Sequence, residues 1–371
     1  MVALDRWLWP LFNTDLTVSF SPLISRLGGR FSKRSLESVA LERIEVSPRQ
    51  SLPTPSKAIY VETDLDRVVG FYPGNSWRVE RVRLDGVVEA GPCVAYRLPP
   101  MALLNGCLCS IRPPFRHSMS TSVDPLVFRA PGKTAELESV AFATTYAGAQ
   151  YFGHFISDDL ALVPLCGEFA PPAMVTQKVE SGHKLEYRDV LGLDWMNVWS
   201  ARVERPWIFR DAELTDSKIN RIKIFREKIR SSAADLKSSD AQRVYFRRRG
   251  DGADRAPSNE EALEERLLAE GWRVIAPGKL PLADIISVLR NATLVAGVEG
   301  SNPLHAIYGL CESSAMLLIQ PPMRFNLVLK EMCERMGLRF AFVVGIATSE
   351  TQWEVDIDQF LRVSDLADRT R

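Results

Sequence analysis

Three groups of side chains in this chain have the types and spacing to do chemistry. In Gly153-His154-Phe155-Ile156-Ser157-Asp158-Asp159-Leu160, His154 and Asp158 stand four residues apart, on one face if the segment is helical. A carboxylate paired with an imidazole can take the proton from a hydroxyl nucleophile. Asp159 competes with Asp158 for that task. A helix whose first turn is acidic, carrying an ordinary half-buried histidine, would account for the same residues without chemistry. Adjacent carboxylates also raise a divalent metal, but neighbours diverge on a helix and no further ligand set accompanies them, so no metal ligand is assigned.

Arg247, Arg248, Arg249 and Arg255 follow the β-rich run Val244–Phe246. Side chains leaving the carboxyl end of a strand in an open parallel sheet enter the crevice where ligands sit. Guanidinium groups there suit a diphosphate, since they donate in pairs and keep their charge. A solvated turn pairing with Asp251 and Asp254 is the plainer account. Downstream, Ser258-Asn259-Glu260-Glu261 has the form of a capping box, which explains Asn259 and Glu260 by helix initiation and leaves a ligand role as a lesser reading. The third group is Gly297-Val298-Glu299-Gly300-Ser301-Asn302-Pro303. Ser301 or Asn302 can cap a helix with Pro303 at its first position. The amides of Gly300, Ser301 and Asn302 would then face an anion. The spacing is neither GxGxxG nor a Walker sequence, so this turn is weak alone. Arginines and turn together point to a nucleotide diphosphate, and so to group transfer.

The surrounding pattern must position these groups. Residues 1–55 read as an N-terminal arm and a loop, with Pro48, Pro53 and Pro55 in its last part. Short β-rich runs follow, among them Ala58–Glu62 and Arg78–Arg83. A helix is expected from about Gly153 until Pro164 stops it. Strands near Ala173–Thr176 and Val198–Val203 and a helix near Tyr187–Leu193 complete an α/β first half. Ile219, Ile222, Ile224, Phe225 and Ile229 give Asp211–Lys237 helical spacing as a connector. Five strands (Val244–Phe246, Arg273–Ile275, Leu294–Ala296, Met316–Ile319, Phe340–Val344) then alternate with helices at Asn259–Glu270, Leu282–Arg290, from Pro303, and at Asn326–Met336. That alternation implies a parallel, doubly wound sheet.

At 371 residues the chain can bury two cores. Lys+Arg and Asp+Glu both number 46, so no global field favours nucleic acid or an anionic membrane, and any anion site must be local. The six cysteines form no CxxC pair, which fits free thiols in a reducing, cytoplasmic setting better than zinc or redox use. The opening Met1–Pro10 is too short and interrupted for a signal peptide or a spanning helix. Its Trp, Leu and Phe suit a peripheral membrane contact or docking onto the protein's own core.

Taken in order, these segments resemble glycosyltransferase family 61. The resemblance runs through Gly153–Leu160, Tyr187–Gly192, Val244-Tyr245-Phe246-Arg247-Arg248 with Arg255 and Asn259-Glu260, Val295–Ser301 and Gly337–Phe340. It covers roughly residues 140–345. It implies an α/β, GT-B-like architecture: two Rossmann-like domains facing across a cleft. It further implies inverting transfer from a nucleotide-diphosphate sugar, with no obligatory metal and no other cofactor. On that basis residues 1–215 form the acceptor-side domain, 216–345 the donor-binding domain, and 346–371 a tail packing back on the first. Asp158 becomes the base with His154 orienting it, Arg247 and Arg248 become phosphate ligands, and Gly300-Ser301 the phosphate-facing turn. Two departures stand out: Glu299-Gly300 where the family usually has His-Gly, and Gln150-Tyr151 where an Asn is usual. A carboxylate repels a diphosphate, so Glu299 is expected to turn to a ribose or sugar hydroxyl.

The sequence therefore reads as a cytoplasmic glycosyltransferase acting on a glycan or glycoconjugate acceptor, of the bacterial polysaccharide-building kind. Its rivals are an inactive nucleotide-sugar-binding scaffold of the same fold and a metal-dependent hydrolase.

Overall fold

The computed structural model describes residues 34–51, 57–111, 114–120, 135–176, 182–236, 239–250 and 255–369. Most of the expected arm and loop (1–33 and 52–56), with the Trp-rich opening, lies outside the described residues, as do Asp251 and Asp254. Chain contacts divide the rest into two units. One draws on 34–49, 91–184 and 192–213, the other on 50–90, 185–191 and 214–369.

The second unit contains the five-stranded sheet that the alternation predicts. Strands lie in the order Arg273–Ile275, Arg243–Phe246, Leu294–Val298, Ala315–Gln320, Arg339–Val344, and every neighbouring pair is parallel. Leu294–Val298 and Ala315–Gln320 are buried along their whole length, as expected of central strands covered on both faces. In chain order the arrangement is 2-1-3-4-5, so strand order reverses between Arg243–Phe246 and Leu294–Val298. Ligands of open α/β sheets bind at the carboxyl ends flanking such a reversal.

Two placements in this unit correct the sequence reading. The C-terminal tail forms the helix Ile357–Arg369, whose Phe360, Val363 and Ala367 are buried in the same cluster as Tyr245, Leu263 and Leu317. Its apolar face recurs every three or four residues, and that face completes this core. Residues 57–90 also join this unit instead of the N-terminal domain. Ile59 exchanges main-chain hydrogen bonds with Phe340 and Phe342, covering the edge of strand Arg339–Val344. Arg78–Arg83, expected as a strand, lies inside the helix Trp77–Asp85. The buried positions of that helix are Glu80 and Leu84, four apart, while Val82 is exposed, which is helical and not strand spacing.

The connector forms the helix Asp216–Ser232, opened by a Thr215 side chain that accepts from the Lys218 amide. Ile219, Ile222, Phe225 and Ile229 are buried, and Ile224 is exposed.

In the first unit a nine-stranded sheet runs Met196–Val198, Pro172–Val175, Ala135–Phe142, Ala201–Arg210, Met101–Leu104, Cys107–Ile111, Pro114–Ser118, with Cys93–Arg97 and Glu42–Ser47 beside the far end of Ala201–Arg210. The pairs among the first four strands are parallel, whereas the hairpin strands pair antiparallel. The doubly wound pattern therefore holds for the second unit, and the first carries a mixed α/β sheet. Strand Ala135–Phe142 leads to the residues that bear the first chemical group.

Candidate active site

The first group lies on one continuous helical segment that changes pitch. Phe152–His154 is α-helical, Phe155–Asp159 is a π turn closed by the Leu160 amide donating to the Phe155 carbonyl, and Leu160–Gly167 is α-helical again. The extra residue re-phases the buried run Leu160–Cys166 against His154, a device frequent at functional sites. Pro164 sits within the last helix and does not end it. His154 Nδ1 lies 2.7 Å from Asp158 Oδ2. The histidine side chain is 43% exposed and the aspartate 18%, so the pair is solvent-facing with the imidazole outermost.

Asp159 does not share that site. Its side chain is 1% exposed, and Oδ1 accepts both the amide (2.9 Å) and the hydroxyl (2.7 Å) of Thr145. An added Cβ on Gly148 would lie 2.2 Å from Asp159 Oδ2, so only glycine admits the carboxyl there. Asp159 thus ties the helix to the turn after strand Ala135–Phe142, and as a catalytic competitor it drops out. Burial, chiefly, holds its carboxyl well above the usual aspartate range against the Thr145 bonds, and the Asp158 charge pushes the same way. A carboxyl with a raised native pKa stabilises fully below the ordinary aspartate value of about 3.9, and this is lost as pH climbs towards the native value. Asp159→Asn is therefore expected to flatten the decline in stability above about pH 4, read as urea midpoints across pH. A slope equal to wild type would show that this carboxyl does not carry it.

In the second unit the loop after strand Arg243–Phe246 is held from beneath by Glu260, which is fully buried. Glu260 Oε1 accepts the Arg248 amide at 2.7 Å and the Tyr245 hydroxyl at 2.9 Å, and Oε2 accepts the Arg249 amide at 2.7 Å. Glu260 therefore braces the loop and is not placed as a ligand. The capping box does not form. Asn259 precedes the helix Glu260–Ala269 without a side-chain cap, and its amide instead donates to the Val355 carbonyl and accepts the Val355 amide. Arg247 forks onto Glu264 through Nε, at 2.8 Å, and Nη2, and that hydrogen bond raises its pKa further. Arg249 pairs with Glu261 on the surface.

The other arginines gather at the Gly300 turn. A Cβ added to Gly300 would lie 3.3 Å from Arg248 Nη1 and 3.6 Å from Arg255 Nη1, and its φ of +151° also favours glycine. Arg248 is buried. Glu299 does not look for a sugar hydroxyl. Its carboxylate meets Arg255 at 3.2 Å, Arg324 at 3.5 Å and the Asn326 amide at 3.1 Å. Arg324 in turn lies 4.2 Å from the Tyr72 ring centroid, a cation–π contact that holds it in place. The repulsion expected of Glu299 is thus offset locally, leaving three guanidinium groups against one carboxylate around a side-chain-free turn. Asn302 and Ser301 carbonyls accept the His305 and Leu304 amides, and the helix that follows, Leu304–Gly309, has only six residues. Positive charge at this turn comes from side chains more than from a helix dipole.

Most of these residues lie inside a segment that matches a known family. Residues 152–317 match the family model Glycosyltransferase 61. Over that stretch the chain is similar to glycosyltransferase family 61. No relative was found among curated proteins. The matched segment holds His154, Asp158, Arg247, Arg248, Arg255 and Gly300, while Arg324 and Asn326 fall just beyond it.

Sequence reasoning missed those last two residues around the Gly300 turn. Arg324 follows strand Ala315–Gln320 by four residues, at the same carboxyl edge as Arg248 and Gly300. The rule that ligand groups follow parallel strands could have found it. Asn326 and Glu80, which accepts the Leu327 amide at 2.7 Å, belong to a network that only the fold reveals. Among the described residues no cluster of three or more His, Cys, Asp or Glu is placed to hold a metal, and no helix is long and apolar enough to cross a membrane.

Proposed function

We propose that this glycosyltransferase transfers a sugar, with inversion, from a nucleotide-diphosphate sugar to a hydroxyl of a glycan or glycoconjugate in the cytoplasm, during surface polysaccharide synthesis, and without a metal. The observation that carries the reading is the cluster of Arg248, Arg255 and Arg324 about Gly300, at the point where the parallel sheet reverses its order. Guanidinium groups fixed there would offset the charge that develops on a departing diphosphate. In this GT-B-like scheme the second unit holds the donor and the first supplies the proton acceptor.

With Nδ1 engaged by Asp158, the ring presents Nε2 outward. We therefore assign His154 Nε2 as the base and Asp158 as the group that orients the ring and stabilises the imidazolium, exchanging the roles drawn from sequence. The acceptor oxygen attacks the anomeric carbon as its proton passes to Nε2. The bond from that carbon to the diphosphate oxygen breaks, and the nucleotide departs with the electron pair.

Binding of UDP, GDP and CMP, by thermal shift and calorimetry, tests the donor half. One nucleotide should raise the melting temperature. Arg324→Ala and Arg255→Ala should each weaken it roughly ten- to hundredfold. Arg247→Ala, whose guanidinium is taken by Glu264, should change it far less. Equal losses for all three, or no binding by wild type, would sink the assignment. Binding without transfer or donor hydrolysis would instead favour an inactive scaffold, and activity abolished by a chelator would return the metal-dependent hydrolase to consideration.

A further inference from the structure

Cys107 and Cys109 lie on strand Cys107–Ile111 of the first unit. Two residues apart on a strand, they point to the same face, and their sulfurs are 3.6 Å from each other with the Cys109 thiol donating to Cys107. The next strand, Pro114–Ser118, pairs Arg116 opposite Cys109 and Ser118 opposite Cys107. From there Arg116 Nε donates to Cys107 Sγ at 3.2 Å. The sulfur of Cys107 is thus an acceptor for a thiol and a guanidinium together, a setting that favours thiolate over thiol. The hydrogen bond from Cys109 comes first, and Arg116 adds to it; together they draw the Cys107 thiol down to about 7 against the opposing effect of burial. The Cys333 thiol, by contrast, is pushed up by burial.

A thiolate with a second thiol in line is the arrangement of an attacking and a resolving sulfur. Both sulfurs are buried, so an oxidant reaches them when the sheet opens locally. Among the described residues the strand carrying Arg116 is the last one in the sheet order, and terminal strands open at lower cost than central ones. Two residues along a strand span about 6.6 Å between Cα atoms, inside the window for a disulfide but near its upper limit. A bridge formed there would be readily reduced.

We propose that Cys107 and Cys109 form a peroxide-reactive dithiol that closes to a reversible disulfide within the strand. The Cys107 thiolate attacks one oxygen of a hydroperoxide, the O–O bond breaks, and the second oxygen leaves with the electron pair and a proton as water or an alcohol. Cys107 is then a sulfenic acid. The Cys109 sulfur attacks it, the S–O bond breaks, and that oxygen leaves as water carrying the Cys109 proton. Two thiols are oxidised by two electrons and one peroxide is reduced.

The test uses the full-length chain carrying Cys311→Ser, because Cys311 is exposed and would react first. The folded, reduced protein is treated with hydrogen peroxide and its peptides are mapped by mass. The peptide holding both cysteines should lose two hydrogens and regain them with a dithiol reductant. Adding Cys109→Ser should trap Cys107 as a sulfenic acid captured by a cyclic 1,3-dione, whereas Cys107→Ser should leave Cys109 uncaptured. Arg116→Met should slow closure about tenfold in protein that retains its native melting temperature. Should either cysteine variant fail to fold, the peptide map of the parent protein and the Arg116→Met rate still decide. Unchanged cysteines in the folded parent, sulfenic acid on Cys109 in place of Cys107, or closure unaffected by Arg116→Met would overturn the proposal.

Discussion

Asp158→Ala will lower the rate of sugar transfer about 10²–10⁴-fold, while nucleotide affinity stays within about twofold of wild type. The expectation follows from geometry: at 2.7 Å from Nδ1, Asp158 is positioned to fix the ring and its tautomer, and without it Nε2 loses its aim. His154→Ala should cost a similar factor. Because the two act on one proton, the double variant should be little worse than either single one. Additive losses would mean that the residues work independently, and unimpaired transfer by Asp158→Ala would remove the pair from the mechanism. Asp159→Asn serves as the control, since that carboxyl is turned into the Thr145 turn and should leave kcat largely intact.

Glu260→Ala is expected to be the most destabilising single change near the donor loop, by about 3–5 kcal/mol. It leaves the amides of Arg248 and Arg249 and the Tyr245 hydroxyl without their acceptor in a place that water does not reach. Burial, followed by the Glu260 charge, pushes the Tyr245 phenol well above its usual range, so the hydroxyl remains a donor at all ordinary pH. Glu260→Gln keeps the shape and one acceptor oxygen and should recover part of the loss. With two units, the effect is read on the transition of the second one in chemical denaturation, not as a single global midpoint. A loss under about 1 kcal/mol would show that the loop is held by something else. Nucleotide affinity should fall with Glu260→Ala and return in part with glutamine, because Arg248 is carried by that loop.

The second sheet was legible because its strands are continuous apolar runs separated by helices of clear period, which is how parallel strands covered on both faces must look. His154 and Asp158 were legible through their four-residue spacing, which local geometry fixes. Glu260 and Asn259 were misjudged for a related reason: Ser-Asn-Glu-Glu has a strong local meaning as a cap, and a distant stretch of chain overrode it by offering the Val355 main chain. Arg247 and Arg248 look alike in sequence, yet one turns to Glu264 and the other to Gly300. Alternation of side-chain direction along extended backbone separates them, and neither residue type nor spacing reports which neighbour waits on each side. Thr145 and Asn326 lacked any local signature. Their roles depend on pairings across tens of residues, which only the folded sheet order specifies.

The path of the chain between its two units has a practical result. Asp64 accepts the Val344 amide and Glu80 the Leu327 amide, so acids near the start complete main-chain bonds formed by residues more than two hundred positions later. A fragment beginning at Leu214 would retain all five strands of the nucleotide-type sheet and yet leave those donors exposed to an apolar interior. It would also uncover the sheet edge that Ile59 shields. Such a fragment should aggregate, and dissecting the protein would require splicing residues 57–90 back in through a linker.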